Sequence, residues 1–179
     1  MKKDGFSIIE LLITFIILGI LTAIAIPGFA RWLPGYRLKS ASRELYANMQ
    51  LAKMGAVRDN GEWAVFFNAG GGSYQIISGG ADRDYSTAGD NTTEKTITLA
   101  DYESGVGYGH GSATAPMGAT FGDEITFNAN TVVFNSRGMI NSITGGYVYL
   151  QNNRSNTYAV GALGTGVILM RRWTGTAWQ

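Results

Sequence analysis

Apolar and polar positions fall into three regimes along the chain. From Phe6 to Ile26 the residues are almost all Ile, Leu, Ala and Phe, and Glu10 is the one charged side chain. About 20 helical residues cross the hydrocarbon core of a bilayer, so this tract is long enough to span one. In the second regime Leu38, Ala41, Leu45, Met49, Ala52 and Ala56 recur at spacings of three and four, the stripe of an amphipathic helix. Lys39, Ser40, Ser42, Arg43, Lys53 and Arg58 lie off that stripe, on a solvated or partner-facing side. The helix is expected to end near Asp59, at the stop signal Asn60-Gly61. Pro27-Gly28 predicts a kink or melted stretch between the two regimes, because proline removes a backbone hydrogen bond and crowds the preceding turn. Pro34-Gly35 predicts a second break.

In the third regime the pattern changes to short β-type runs. Trp63–Phe67 and Tyr74–Ile77 read as a hairpin across the glycine turn 70–73. A polar segment covers 79–95, and a short strand is expected at Thr96–Leu99. The glycine-rich stretch 105–122 reads as loop. Further strands are expected at Ile125–Phe127, Val132–Asn135, Tyr147–Gln151, Tyr158–Val160 and Val167–Arg171. A long helix followed by antiparallel strands is an α+β arrangement.

Composition narrows the chemistry. The 179 residues carry a formal net charge of +1, so no global field draws the chain to nucleic acid or acidic ligands. There is no cysteine, which excludes disulfides, thiolate metal sites and thiol catalysis. With 25 glycines and three prolines the carboxyl-terminal part suits a turn-rich β region.

Glu10 separates three readings of the amino terminus. A secretory signal peptide would use Ala23 and Ala25 as an A-x-A site, but its apolar core runs only about 7–15 residues and carries no acid. A plain transmembrane anchor leaves Glu10 unexplained, since a carboxylate in hydrocarbon costs a few kcal/mol and ordinarily has a partner and a task. The third reading starts from Gly5-Phe6-Ser7-Ile8-Ile9-Glu10-Leu11-Leu12, preceded by Lys2 and Lys3. This run resembles the type IV pilin family: a short basic leader ending in glycine, an aromatic residue, then a glutamate as fifth residue of the processed chain. Asp4 departs slightly from the leader pattern.

The resemblance implies a sequence of events. A prepilin peptidase cuts between Gly5 and Phe6 and methylates the Phe6 amine. Of 14 basic and 13 acidic residues the leader removes Lys2, Lys3 and Asp4, leaving 12 of each. Glu10, one helical turn from Phe6, neutralises the Phe6 amine of a neighbouring subunit, because an unpaired charge in a greasy filament core is expensive. Pro27 matches the position where helices of this family bend. The implied organisation is a leader at 1–5, a transmembrane and polymerisation helix at 6–26, an amphipathic helix at 27–60 and a β-rich head at 61–179. The implied fold is the pilin fold. Lys2 and Lys3 place the amino terminus in the cytoplasm and the head in the periplasm. Implied partners are other pilin or pseudopilin subunits, the prepilin peptidase and the inner-membrane assembly platform.

The carboxyl-terminal half carries a narrower resemblance. Thr131-Val132-Val133-Phe134-Asn135-Ser136-Arg137-Gly138, then Gly146–Leu150 and Tyr158–Val160, resemble the GspH/FimT group of minor pilins. Arg43-Glu44-Leu45 and Leu51-Ala52-Lys53 resemble its helix, although arginine is commoner where Lys53 stands. The group's late Gly-Arg turn is here Gly164-Thr165-Gly166-Val167, with the arginines displaced to Arg171 and Arg172.

Other constellations point to little chemistry. His110 is the single histidine and sits among alternating glycines with no Ser or Asp spacing that recommends a triad. No enzymatic role, cofactor or metal is expected. Asp82, Asp84, Asp90 and Asn91 supply oxygens of the kind calcium takes, but in no standard loop spacing and with Arg83 between two acids. Arg171, Arg172, Trp173 and Trp178 form a basic, aromatic tail. Phosphates attract arginine and bases stack on tryptophan, and some minor pilins related to this group bind DNA through such a region. The alternatives to a structural subunit are therefore a DNA-binding competence pilin and a membrane-tethered protein that never polymerises.

Overall fold

A computed structural model describes residues 7–118 and 120–179. Helix α1 spans Ile8–Arg58. Its helical assignment runs through both Pro27 and Pro34, so the second break expected at Pro34-Gly35 is not there and neither proline melts a turn. Pro34 is buried, and its carbonyl oxygen accepts a hydrogen bond from Asn152 Nδ2 at 2.9 Å. The helix stops where expected. Asn60 takes a left-handed conformation at φ 48°, and the Gly61 N–H reaches back to the Ala56 carbonyl at 3.0 Å. That six-to-one bond is the Schellman closure, which needs a residue tolerant of positive φ.

The chain divides into two compact units, one ending at Leu33 and one running Pro34–Gln179. The second unit, the head, holds the hydrophobic core. Strands β1 (Trp63–Asn68), β2 (Ser73–Ser78), β3 (Thr92–Thr98) and β5 (Thr131–Phe134) form one antiparallel sheet in the order β3-β2-β1-β5. Strands β4 (Gly107–Tyr108), β6 (Gly146–Gln151), β7 (Thr157–Ala162) and β8 (Ile168–Arg172) form a second, in the order β4-β6-β7-β8. The expected antiparallel strands thus sort into two sheets. The predicted stripe Leu38, Ala41, Leu45, Met49, Ala52 and Ala56 is wholly buried. It shares one core with Val65, Phe67, Tyr74 and Ile76 of the first sheet and with Val148, Leu150 and Val160 of the second.

Several local expectations are corrected. Strand β3 begins at Thr92, four residues early, because its first five residues are exposed and carry no apolar alternation to announce them. The glycine-rich stretch contains β4, pairing Gly107 with Gln151 and Tyr108 with Leu150. Ile125–Phe127 is no strand; it makes one bridge, Ile125 to Val148, while Ile125 and Phe127 are buried. Ser42 is buried, with its hydroxyl donating to the Leu38 carbonyl at 2.9 Å. Lys53 is half-buried, and its Nζ donates to the Gly166 carbonyl at 2.9 Å.

Candidate assembly site

Every residue from Ser7 to Trp32 is exposed, although most are large and apolar. Ile8 is 87% exposed and Ile24 71%, so nothing in the unit ending at Leu33 covers this surface. A bare apolar helix of this kind is stable only in lipid or against other helices. Its two threonines turn inward on the backbone: Thr14 Oγ1 donates to the Leu11 carbonyl at 2.7 Å and Thr22 Oγ1 to the Leu18 carbonyl at 2.7 Å. Both hydroxyls are thereby satisfied without water.

Glu10 lies in the first helical turn and is exposed. A carboxylate there is favoured by the positive end of the helix dipole. From Leu11 to Ala30 no side chain is charged, and Arg31 ends the stretch. At about 1.5 Å per residue that interval measures ~30 Å, the thickness of the hydrocarbon core. Phe29 and Trp32, with ring centroids 6.0 Å apart, stand at its far end, where interfacial aromatics anchor helices. Gly5 and Phe6 lie outside the described residues.

The head brings together groups that periodicity does not reveal. Asn48 is buried on the apolar stripe, donating from Nδ2 to the Tyr74 hydroxyl at 2.9 Å and accepting from Lys95 Nζ at 3.3 Å. Glu44, one turn earlier, accepts from Lys95 Nζ at 2.9 Å and from the Tyr102 hydroxyl. The Tyr102 hydrogen bond, then that of Lys95, holds the Glu44 carboxyl below its ordinary range. Burial pushes the Tyr74 hydroxyl well above its ordinary value, so it stays protonated. The one sequence signal for this cluster is Glu44 within the Arg43-Glu44-Leu45 run.

The candidate nucleic-acid contacts separate. Arg171 and Arg172 are exposed on β8, an edge strand, whereas Trp173 is only 6% exposed and offers no ring face to a base. The tail folds back on that edge: Arg172 and Gln179 exchange backbone hydrogen bonds, and Trp173 bridges Trp178. His110 is exposed and stacks on Phe121 at 4.3 Å between centroids. In the acidic loop three carboxylate oxygens accept the loop's own amides, while Asp90 Oδ1 and Asn91 Oδ1 are buried without a partner. Asp90 Oδ2 takes Ala81 N–H and Asp82 N–H, Asp82 Oδ1 takes Asp84 N–H, and Asp84 Oδ1 takes Ser86 N–H. Among the described residues no three metal-binding side chains converge.

Comparison with known proteins agrees with this geometry. The family described as Type II transport protein GspH matches residues 41–166, and the prokaryotic N-terminal methylation motif matches residues 1–26. No curated protein matches the chain. Among solved structures it is similar to the minor pseudopilin EpsH from the Type 2 Secretion System of Vibrio cholerae. That likeness has a TM-score of 0.51 at 12% identity and covers 75% of this chain and 95% of the other. It is also similar to the type IV minor pilin FimU of Pseudomonas aeruginosa in two crystal forms. Both give a TM-score of 0.52 at 12% identity over 79% of this chain, covering 92% and 96% of theirs. At such identity the structural likeness is one of fold, while the family match spans most of the head and its helix. The chain belongs to the GspH family of type II transport proteins and opens with the methylation motif of pilin-like proteins.

Proposed function

We propose that this chain is a minor structural subunit of a type IV pilus or a type II secretion pseudopilus, and not an enzyme. The observation that carries the reading is a fully exposed apolar helix whose one acid stands in its first turn, joined to a GspH-family head. The organisation is a leader at 1–5, a spanning helix at 6–26, an amphipathic helix at 27–60 and a head at 61–179. The prepilin peptidase cuts between Gly5 and Phe6 and methylates Phe6. The new amine meets Glu10 of an adjacent subunit inside the filament, so the pair fixes axial register while it removes an uncompensated charge. Pro27, without an N–H, is the weakest point of the helix and the place where it bends on assembly. Partners are the other pilin-like subunits and the inner-membrane platform that extracts this chain from lipid.

The amino terminus is cytoplasmic and the head periplasmic. Charge counting alone opposes that orientation, because Arg31, Arg37, Lys39 and Arg43 follow the tract while only Lys2 and Lys3 precede it. Large domains translocate largely regardless of their charge, and the processing motif, cut on the cytoplasmic side, supports this orientation. Glu10→Ala is expected to leave insertion and processing intact and to deplete the chain from sheared filaments. Failure of the peptidase to process the chain, or filaments that still form normally in cells carrying Glu10→Ala, would instead favour a tethered protein that never polymerises. A DNA-binding role has one supporting observation, the exposure of Arg171 and Arg172. Reversing both charges tests it: unchanged DNA affinity rejects that role.

A further inference from the structure

We infer that the free edge of strand β8 is a pairing surface for the same edge of a second copy of this chain. Strand β8 ends the sheet β4-β6-β7-β8, so one flank of its backbone has no neighbouring strand. The bonds around it show which groups face that flank. The Leu163 N–H donates to the Val167 carbonyl at 2.9 Å, and the Trp173 N–H donates to the Thr157 carbonyl at 3.0 Å. Odd-numbered positions therefore turn toward β7. Arg172 instead exchanges both of its backbone bonds with Gln179, at 2.6 and 2.9 Å, on the outer flank. Backbone groups alternate sides along an antiparallel strand, so Ile168 and Met170 turn outward as well. Among the described residues no group bonds to their backbone on that side. Sheet edges are ordinarily covered or blunted. Here the tail covers only the Arg172 end.

The free stretch is complementary to itself. It runs from Val167, just after the turn at Gly166 (φ 78°), to Arg171, just before the tail's pairing at Arg172. Leu169 is its midpoint. Laid antiparallel on a copy of itself about Leu169, it sets Ile168 against the partner's Met170 and Met170 against the partner's Ile168. Both are doubly hydrogen-bonded pairs. Centring on Ile168 or Met170 instead sets an open residue against the Gly166 turn, or against Arg172, whose outer bonds Gln179 holds. Side chains agree with the first register. Val167, Leu169 and Arg171 share the face opposite the buried Ile168. Leu169 then meets its own copy, and the Arg171 stem lies over the partner's Val167, which is 48% exposed in the single chain. The two Arg171 positions stand ~14 Å apart, beyond the ~8 Å screening length at physiological salt. Length, hydrogen bonding and charge thus commit this edge to a second copy. A contact of this symmetry closes on itself and does not propagate, so the pair is distinct from the repeating contacts of a filament.

The chain lacks cysteine, so single cysteines read the register directly. The full chain is kept in detergent, with micelles in excess over protein, in a glutathione redox buffer. Disulfide-linked dimer is then measured on a non-reducing gel. Two cysteines link only where their Cα atoms come within ~7 Å. Leu169→Cys meets its own copy at ~4.5 Å and should link. Arg171→Cys stands ~14 Å from its own copy and should give less dimer by about tenfold or more. A mixture of Arg171→Cys and Val167→Cys should link again, because those positions face each other. Both are exposed, so the mixture reads the register even where Leu169→Cys fails to fold. Equal linking at every position, the pattern of chance collision or of clustered apolar tracts, overturns the inference. So does a mixture that yields no dimer, which leaves the edge to a strand of another chain or to none. Neither outcome bears on the filament reading, which Glu10→Ala tests separately.

Discussion

Glu44 is the residue on which helix α1, the edge strand β3 and the turn at Tyr102 converge. The Tyr102 hydroxyl and Lys95 Nζ both donate to it, and these contacts keep its carboxyl ionised below the ordinary value of 4.5. A carboxyl depressed in the folded state contributes stability above its unfolded pKa and loses it as pH falls through the folded one. Glu44→Gln should therefore be less stable than the parent at neutral pH. The difference should shrink as pH drops below about 4.5, read from urea midpoints across a pH series. The Glu44 side chain is 38% exposed, so solvent screening limits the effect to ~1 kcal/mol or less. At this scale the sequence spoke unevenly. Glu10 stood out because an acid in an apolar run has few explanations. Ser42 and Lys53 did not, because each sits on the flank of the stripe. There a hydroxyl can satisfy itself on its own backbone, and a lysine stem can lie on the core while its amine reaches a carbonyl.

Among the elements, helix α1 and strand β1 approach closely at Gly55. A Cβ built there would stand 2.6 Å from the Trp63 ring, which is buried and held by a hydrogen bond from Nε1 to Asp59 Oδ2 at 3.0 Å. Helix propensity alone says that alanine stabilises this position by about 1 kcal/mol. Overpacking against a fixed ring costs about 1–3 kcal/mol and decides the sign. Gly55→Ala should be destabilising in a denaturant titration, and should become neutral or stabilising when combined with Trp63→Leu. An additive double variant would show that the ring is not what fixes this glycine. The helix was legible from its stripe and its Asn60-Gly61 stop. The prolines misled because proline weakens a helix locally, while burial of Pro34 and its carbonyl bond to Asn152 supply the compensation from elsewhere in the head. Strand β3 hid for a related reason: it is an edge, exposed along most of its length and interrupted by a register shift opposite Ile76/Ile77. Edges of that kind are polar and irregular, which keeps them from pairing with other chains.

For the molecule as a whole, the division at Leu33/Pro34 separates a unit with no buried residue among those described from one that holds the hydrophobic core. The strands were mostly visible as runs, yet their sorting into two sheets was not. Strand β5 returns to β1 across the intervening β4, and β6 then pairs back to β4; such pairings are set by tertiary packing, which no local pattern records. Core members run only from Leu38 to Ile168, and the stripe residues among them pack on the head's own sheets. A chain of residues 34–179 should therefore fold, stay in solution after ultracentrifugation, and melt within a few degrees of the full chain in detergent. Leu45 is fully buried in that core, so Leu45→Ala should cost about 2–5 kcal/mol. The loss should be the same in both contexts, since among the described residues the chain before Pro34 has no buried residue with which to share it. A markedly larger loss in the shortened chain would mean that the first unit props up the head. Equal losses would leave that tract with one physical purpose, to be covered by lipid or by its neighbours' helices.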